Sequence, residues 1–147
     1  MPYRKIPIIA LVVAVLLTGT APQAGADDLT RRDRMLRLLN QTRRAHGRPL
    51  FRLNVNLSHY AWRHSKRMAD RGRLFHTADL YGKVRSYSPT MWGENVGYAG
   101  WLKKVRRLWM HSSAHRHNLL RPGFRRIGIG VVKARGMVWV TAIFYGG

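Results

Sequence analysis

The chain has 147 residues, no cysteine, 27 lysines and arginines, and only 6 acids, for a formal charge of +21. Without a thiol, a disulfide framework and a thiolate metal site are both excluded. The length suits one domain with a real core and no second one, and the charge predicts salt-sensitive attraction to polyanions of any kind.

The N-terminus reads as a signal peptide. Arg4 and Lys5 precede an apolar run over residues 6–17, broken only by Pro7, and Ala24-Gly25-Ala26 offers a small-residue cleavage site. The run is shorter than the roughly 18 residues of a membrane span. Residues 1–26 are therefore expected to be removed, leaving residues 27–147 as a single exported domain, secreted and without a transmembrane span. That part holds 25 basic and 6 acidic residues, with 20 arginines to 5 lysines, a bias that suits phosphate or carboxylate contacts. Wall polymers, anionic lipid headgroups and extracellular nucleic acid are the polyanions such a protein meets.

Thr30 is a fair N-cap for a helix over residues 31–46, stopped by Gly47 and Pro49. Met35, Leu38, Leu39 and Thr42 make one face, and Arg31, Arg32, Arg34, Arg37, Arg43 and Arg44 crowd the rest. Asn56 is placed to cap a second helix over residues 57–71, ended by Gly72. Its apolar face carries Leu57, Ala61, His64 and Met68, so His64 is expected to be an inward, hydrogen-bonded structural histidine. Residues 73–89 read as irregular and residues 93–99 as a short extended segment.

Residues 101–111 carry the clearest helical pattern. Trp101, Val105, Leu108 and Trp109 fall at i, i+4, i+7 and i+8, opposite Lys103, Lys104, Arg106 and Arg107. Ser112 or Ser113 then caps a short helix to Leu120, before Pro122-Gly123. Alternating Ile127, Ile129 and Val131, a turn at Arg135-Gly136, and a β-branched, aromatic run to Tyr145 predict a closing β-hairpin. Helices, a strand, helices and a hairpin make an α+β sandwich.

Glu94 is the one glutamate, set in Trp92-Gly93-Glu94-Asn95-Val96-Gly97, and no acid follows it. His76, Glu94 and a histidine of the 111–117 segment would form an N, N, O set that accepts a divalent metal such as zinc. Glu94 serves equally as a hydrogen-bond anchor for a loop, with Gly93 and Gly97 admitting close backbone approach; the residues leave both readings open. His111 and His115 at i, i+4 resemble half of a helical zinc site, but a break at Ser112 would spoil it. Serine nucleophile schemes are weaker, because no G-x-S-x-G elbow exists and Ser65, Ser112 and Ser113 read as helix-surface or cap positions. Tyr98, Trp101 and the basic helix face would suit single-stranded nucleic acid. Trp101 lies on the apolar side, however, so core packing accounts for it better and nucleic acid is disfavoured as a partner.

The order of these segments resembles bacterial CAP-superfamily domains, the SCP-like extracellular relatives of cysteine-rich secretory proteins, insect venom antigens and plant pathogenesis-related 1 proteins. Leu39-Asn40-Gln41-Thr42-Arg43 and Ala45-His46-Gly47 are similar to the opening helix of that family. Ala61, His64-Ser65 and Met68-Ala69 match its second helix, Phe75-His76-Thr77 its first cleft histidine, and Gly93-Glu94-Asn95-Val96 its glutamate motif. Trp109-Met110, Ser113, His115-Arg116 and Asn118-Leu119-Leu120 match its W-M-x-S-P-G-H-R-x-N-I-L segment, and Ile127-Gly128-Ile129-Gly130 with Trp139-Val140-Thr141 and Phe144 its terminal hairpin.

The resemblance implies an α-β-α sandwich, with helices on a small, mostly antiparallel sheet. It also implies an exported protein with a cleft formed by His76, Glu94, Asn95 and His115, in which His76, His115 and Glu94 are the candidate metal ligands. Departures weaken metal-dependent catalysis more than the fold: no second acid after Glu94, no late histidine in the strand holding Val138 to Ala142, and Ser113-Ala114 in place of Pro-Gly. The implied function is a binding module at the cell envelope or outside the cell, without catalysis, whose arginine surface meets anionic wall polymers or lipid headgroups. The alternative is a divalent-metal-assisted hydrolase using the same cleft.

Overall fold

A computed structural model describes residues 25–147; the expected signal peptide lies almost wholly outside them. Among the described residues no helix is long and apolar enough to cross a membrane. In chain order the elements are α1 (Ala26–Ala45), β1 (Arg52–Leu53), α2 (Val55–Arg71), α3 (Leu80–Val84), a 3₁₀ turn (Arg85–Tyr87), β2 (Met91–Ala99), α4 (Leu102–His111), α5 (Ser113–Leu120), β3 (Arg126–Ala134) and β4 (Met137–Gly146). The sheet order is β1-β3-β4-β2. Only the two-residue β1 runs parallel to its neighbour β3; the β3–β4 and β2–β4 pairs are antiparallel.

The hairpin forms as its alternation predicts. Arg135 (φ 53°) and Gly136 (φ 72°) both take positive φ, as a two-residue turn with the twist of its strands requires. Alternation along β4 then splits the core between two faces. Val138, Val140, Ala142 and Phe144 join Ile127, Ile129 and Val131 beneath α1, α4 and α5. Trp139, Ile143 and Tyr145 face α2 with Leu57, Ala61, Met68 and Ala69. The result is the three-layer α-β-α arrangement, with β2 as an open sheet edge.

α2 lies against β3 so closely that a Cβ at Gly130 would overlap the backbone of Ala61 and Trp62, and one at Gly128 would overlap Leu57. Ser65 sits at this contact. It is fully buried, its Oγ 3.1 Å from the Gly130 carbonyl and 2.9 Å from Thr141 Oγ1, which corrects its assignment to the helix surface. Its position on the sheet-facing side of α2, between the buried His64 and Met68, decides this.

Several boundaries shift. α1 begins at Ala26, where Asp27 and Asp28 occupy the first turn and pair with Arg31, a favourable placement of acids at a helix N-terminus. Thr30 is inside the helix, and its hydroxyl donates to the Ala26 carbonyl. Asn54 rather than Asn56 caps α2, accepting from the Leu57 N–H, because Val55 already has helical geometry. The irregular segment contains α3 and the 3₁₀ turn. On α4, Val105 and Trp109 are buried but Trp101 and Leu108 are 57% and 50% exposed. Trp101 is the extended N-cap, and Leu102 fills the core position expected for it.

The largest correction is Arg43, expected on the solvated face of α1. It is fully buried. Its guanidinium donates to the carbonyls of Pro49, Leu119 (2.8 Å), Arg121 (3.1 Å) and Phe124 (2.9 Å) and lies over the Phe51 ring. It ties α1 to the carbonyls that end α5, groups a helix leaves without internal partners. Burial first, then the charges of Arg125 and Arg48, lower its pKa to about 10, so the group is still charged at neutral pH. Arg43→Met keeps much of the volume but strands these carbonyls. Urea unfolding should show a loss on the order of 3 kcal/mol or more; a change under about 0.5 kcal/mol would mean water satisfies them.

Candidate functional site

The candidate residues are distributed across the edge of β2. Register places Glu94 opposite Ile143 and Asn95 opposite Ala142, so the two side chains leave the strand on opposite faces. Glu94 enters the α2 side and Asn95 the α4–α5 side.

Glu94 is 7% exposed and its carboxylate is met by three donors. Oε1 accepts from His76 Nδ1 (2.7 Å) and the Thr77 N–H (2.9 Å); Oε2 accepts from Thr77 Oγ1 (2.6 Å). A carboxylate only accepts, so His76 Nδ1 carries the hydrogen and Nε2 is the ring nitrogen left without a protein partner among the described residues. The His76 side chain is 64% exposed. Thr77 is the residue that reasoning from side-chain chemistry missed; a hydroxyl directly after the loop histidine was its only signal. Beneath it, His64 is buried as expected. Its Nε2 donates to the Phe75 carbonyl (2.8 Å), and its Nδ1 accepts from Arg67 (3.1 Å).

On the other face Asn95 is fully buried. Its Nδ2 donates to the His115 carbonyl (3.0 Å) and its Oδ1 accepts from Asn118 Nδ2 (3.0 Å), so it fixes the helix that carries His115. Trp109 Nε1 donates to the Val96 carbonyl (3.0 Å) directly over Gly97; Asn118 and Phe124 crowd Gly93. Both glycines flanking Glu94 are therefore sites of close approach. The His115 ring stacks on Trp109 at 6.3 Å and its Nδ1 lies 2.8 Å from Ser112 Oγ. Ser112 serves this ring and makes no side-chain cap for α5. Desolvation by burial holds the His115 pKa below the ordinary histidine range, and the neighbouring His76 pushes it the same way.

The structure thus brings His76 to Glu94 and sets His115 within electrostatic reach of His76. His111 stays apart, bonded through Nδ1 to the Arg107 carbonyl one turn back at the exposed end of α4. Among the described residues no three His, Cys, Asp or Glu side chains are gathered as a metal-binding group. Glu94 stands behind His76 and orients its imidazole, as carboxylates do behind metal-bound histidines. What the site offers a divalent ion is one exposed imidazole, His76, held by a buried carboxylate, rather than a gathered ligand set.

The sequence pattern of CAP, the cysteine-rich secretory protein family, matches residues 36–144. The chain belongs to the CAP family. It is 29% identical over 129 residues to the uncharacterized protein YkwD of Bacillus subtilis, covering 83% of this chain and 50% of that protein. An extracellular protein of Bacillus anthracis containing an SCP domain superposes with a TM-score of 0.71 at 22% identity, over 86% of this chain and 45% of the other. An outer surface protein of Borrelia burgdorferi gives 0.70 at 14% identity, over 80% of this chain and 92% of the other. These two likenesses concern the fold. The chain spans about half the length of its Bacillus subtilis relative, so this CAP domain corresponds to one part of that protein.

Two outcomes follow from the geometry. Thr77→Val removes the shortest bond to a buried carboxylate and should lower stability by about 1–3 kcal/mol, while Thr77→Ser should restore most of it; equal melting of all three proteins would contradict this account. As pH falls, the unfolded chain protonates His115 first, near 6.5, and the folded chain only at its lower value. Stability present above about 6.5 is therefore lost on acidification through that window. With chelator present, the melting temperature should fall less between pH 7 and pH 5 in His115→Gln than in the parent.

Proposed function

We propose that this CAP domain is exported, with residues 1–26 as its removable leader, and acts as a binding module at the cell envelope or outside the cell, without catalysis. The observation that carries the reading is the state of Glu94. Its two oxygens already accept three bonds from His76 and Thr77, so most of the acceptor capacity of the glutamate is committed to fixing a loop. The surface supplies the attraction. Among the described residues only Arg31, Arg32 and Lys66, of all lysines and arginines, pair with carboxylates, so most of the positive charge awaits an external counterion. Anionic wall polymers and lipid headgroups are the partners of matching charge.

A divalent-metal-assisted hydrolase is the second reading, favoured by the exposed His76 ring held by Glu94 and by the charge influence of His76 on His115. These two imidazoles would hold the ion, which would supply Lewis-acid polarisation of a bound group. Glu94 would keep His76 in the Nδ1–H form. Zinc titrated into residues 27–147 by calorimetry, against His76→Ala and His115→Ala, tests the site without relying on turnover.

The binding reading predicts that association with an anionic wall polymer weakens about tenfold or more between about 50 and 300 mM salt and that Glu94→Gln leaves this salt dependence in place. Salt-independent association, or zinc-dependent turnover that Glu94→Gln abolishes, would overturn it.

A further inference from the structure

Beside the cleft lies a cavity of about 420 Å³ bounded by α2 and the segment leading into α3. Arg63, Arg67 and Arg71 line it from α2, Lys83 lines it from α3, and His76 and Thr77 form the wall shared with the Glu94 site. The three arginines are at i, i+4 and i+8, so they stand in a row about 6 Å apart along the helix. Among the described residues none of these four cations has a carboxylate within ion-pair distance. Asp79, the one acid on the wall, accepts from the Gly82 N–H as the cap of α3.

The cations are held in place by other means. Arg63 and Lys83 lie over the Tyr60 ring at 4.8 and 4.7 Å, Arg71 lies 5.1 Å from the Phe75 ring centre, and Arg67 donates to His64 Nδ1. Aromatic and histidine supports of this kind fix long side chains before any ligand arrives, which lowers the ordering cost of binding. His64 Nδ1 can accept from Arg67 because its Nε2 hydrogen is committed to the Phe75 carbonyl.

We infer that this cavity is a binding site for the phosphodiester groups of a linear polyanion, recognised as one phosphate per repeat along the Arg63–Arg67–Arg71 row. A regularly spaced row of forked donors suits a chain with a tetrahedral anion on every short polyol unit. The concave shape favours a strand over a flat bilayer. Tyr60 and Phe75 already carry cations on their faces, so bases have no free ring to stack on, which separates this site from a nucleic-acid groove. The inference rests on the binding reading above and gives it a location and a ligand class.

The test measures binding of a glycerol-phosphate oligomer to residues 27–147 by calorimetry over a salt series. The variants are Arg63→Gln/Arg67→Gln/Arg71→Gln and a control with the same charge change on exposed α1 positions, Arg34→Gln/Arg37→Gln/Arg44→Gln. We expect the α2 triple variant to bind at least about tenfold more weakly and to lose about two units of log–log salt slope, with the control changed by less than about twofold. Equal losses in both triples would overturn the site while leaving non-specific anion binding intact. No saturable binding by the parent would overturn the site and the binding reading together. Polyglutamate, oligothymidylate or anionic vesicles binding as tightly as the oligomer would overturn the ligand class. Should the triple variant unfold, Arg63→Gln and Arg71→Gln singly, whose side chains only cover rings, decide the same question.

Discussion

A carboxylate withdrawn from water at the edge of β2 constrains everything around it. Burying such a group without donors costs several kcal/mol, so the chain must bring donors to Glu94 from elsewhere. The Thr77 amide, the Thr77 hydroxyl and His76 Nδ1 supply them. Meeting that demand pins the segment after α2 against the sheet, turns the His76 ring outward, and places one wall of the arginine-lined cavity. The same anchor explains why an exposed loop between α2 and α3 is a fixed part of the site.

The opposite face is held by a parallel device. Asn95 leaves the next position of the strand toward α5 and bonds the His115 carbonyl and Asn118. Two adjacent residues of one edge strand thus anchor the His76 loop on one face and the His115 helix on the other, and the glycines on either side let Trp109, Asn118 and Phe124 approach. A cleft assembled by buried amide and carboxylate bonds is rigid, and its outward groups are imidazoles.

Arginine has two roles in this molecule, and position alone separates them. Arg43 is buried and closes the carbonyl ends of α5 and the following turn, where its planar, multi-donor head does what a lysine would not. Among the described residues the arginines of α2 pair with no acid, and they rest on rings and a histidine. One gives the fold its cohesion; the others remain an unneutralised row of charge on the surface of α2.

Periodicity in the sequence sets out α1, α2, α4, the closing hairpin and the α+β class, because each depends on neighbours within one turn or one strand pair, whereas the short α3 has too few turns to show a period. It also singled out Glu94, since a lone acid between glycines in a basic chain is a local anomaly, and the motif order gave the CAP resemblance. The partners of these residues were not legible. That Thr77 rather than a third metal ligand meets Glu94, that Arg43 and Ser65 point inward, that Trp101 and Leu108 face out, and that His111 stands apart from His115 all depend on which faces of separate elements come together. Helical spacing gives the width of an apolar stripe but not its rotation about the axis. That rotation is decided by close packing between layers and by the requirement that every buried polar atom find a partner, and both are properties of the assembled tertiary structure.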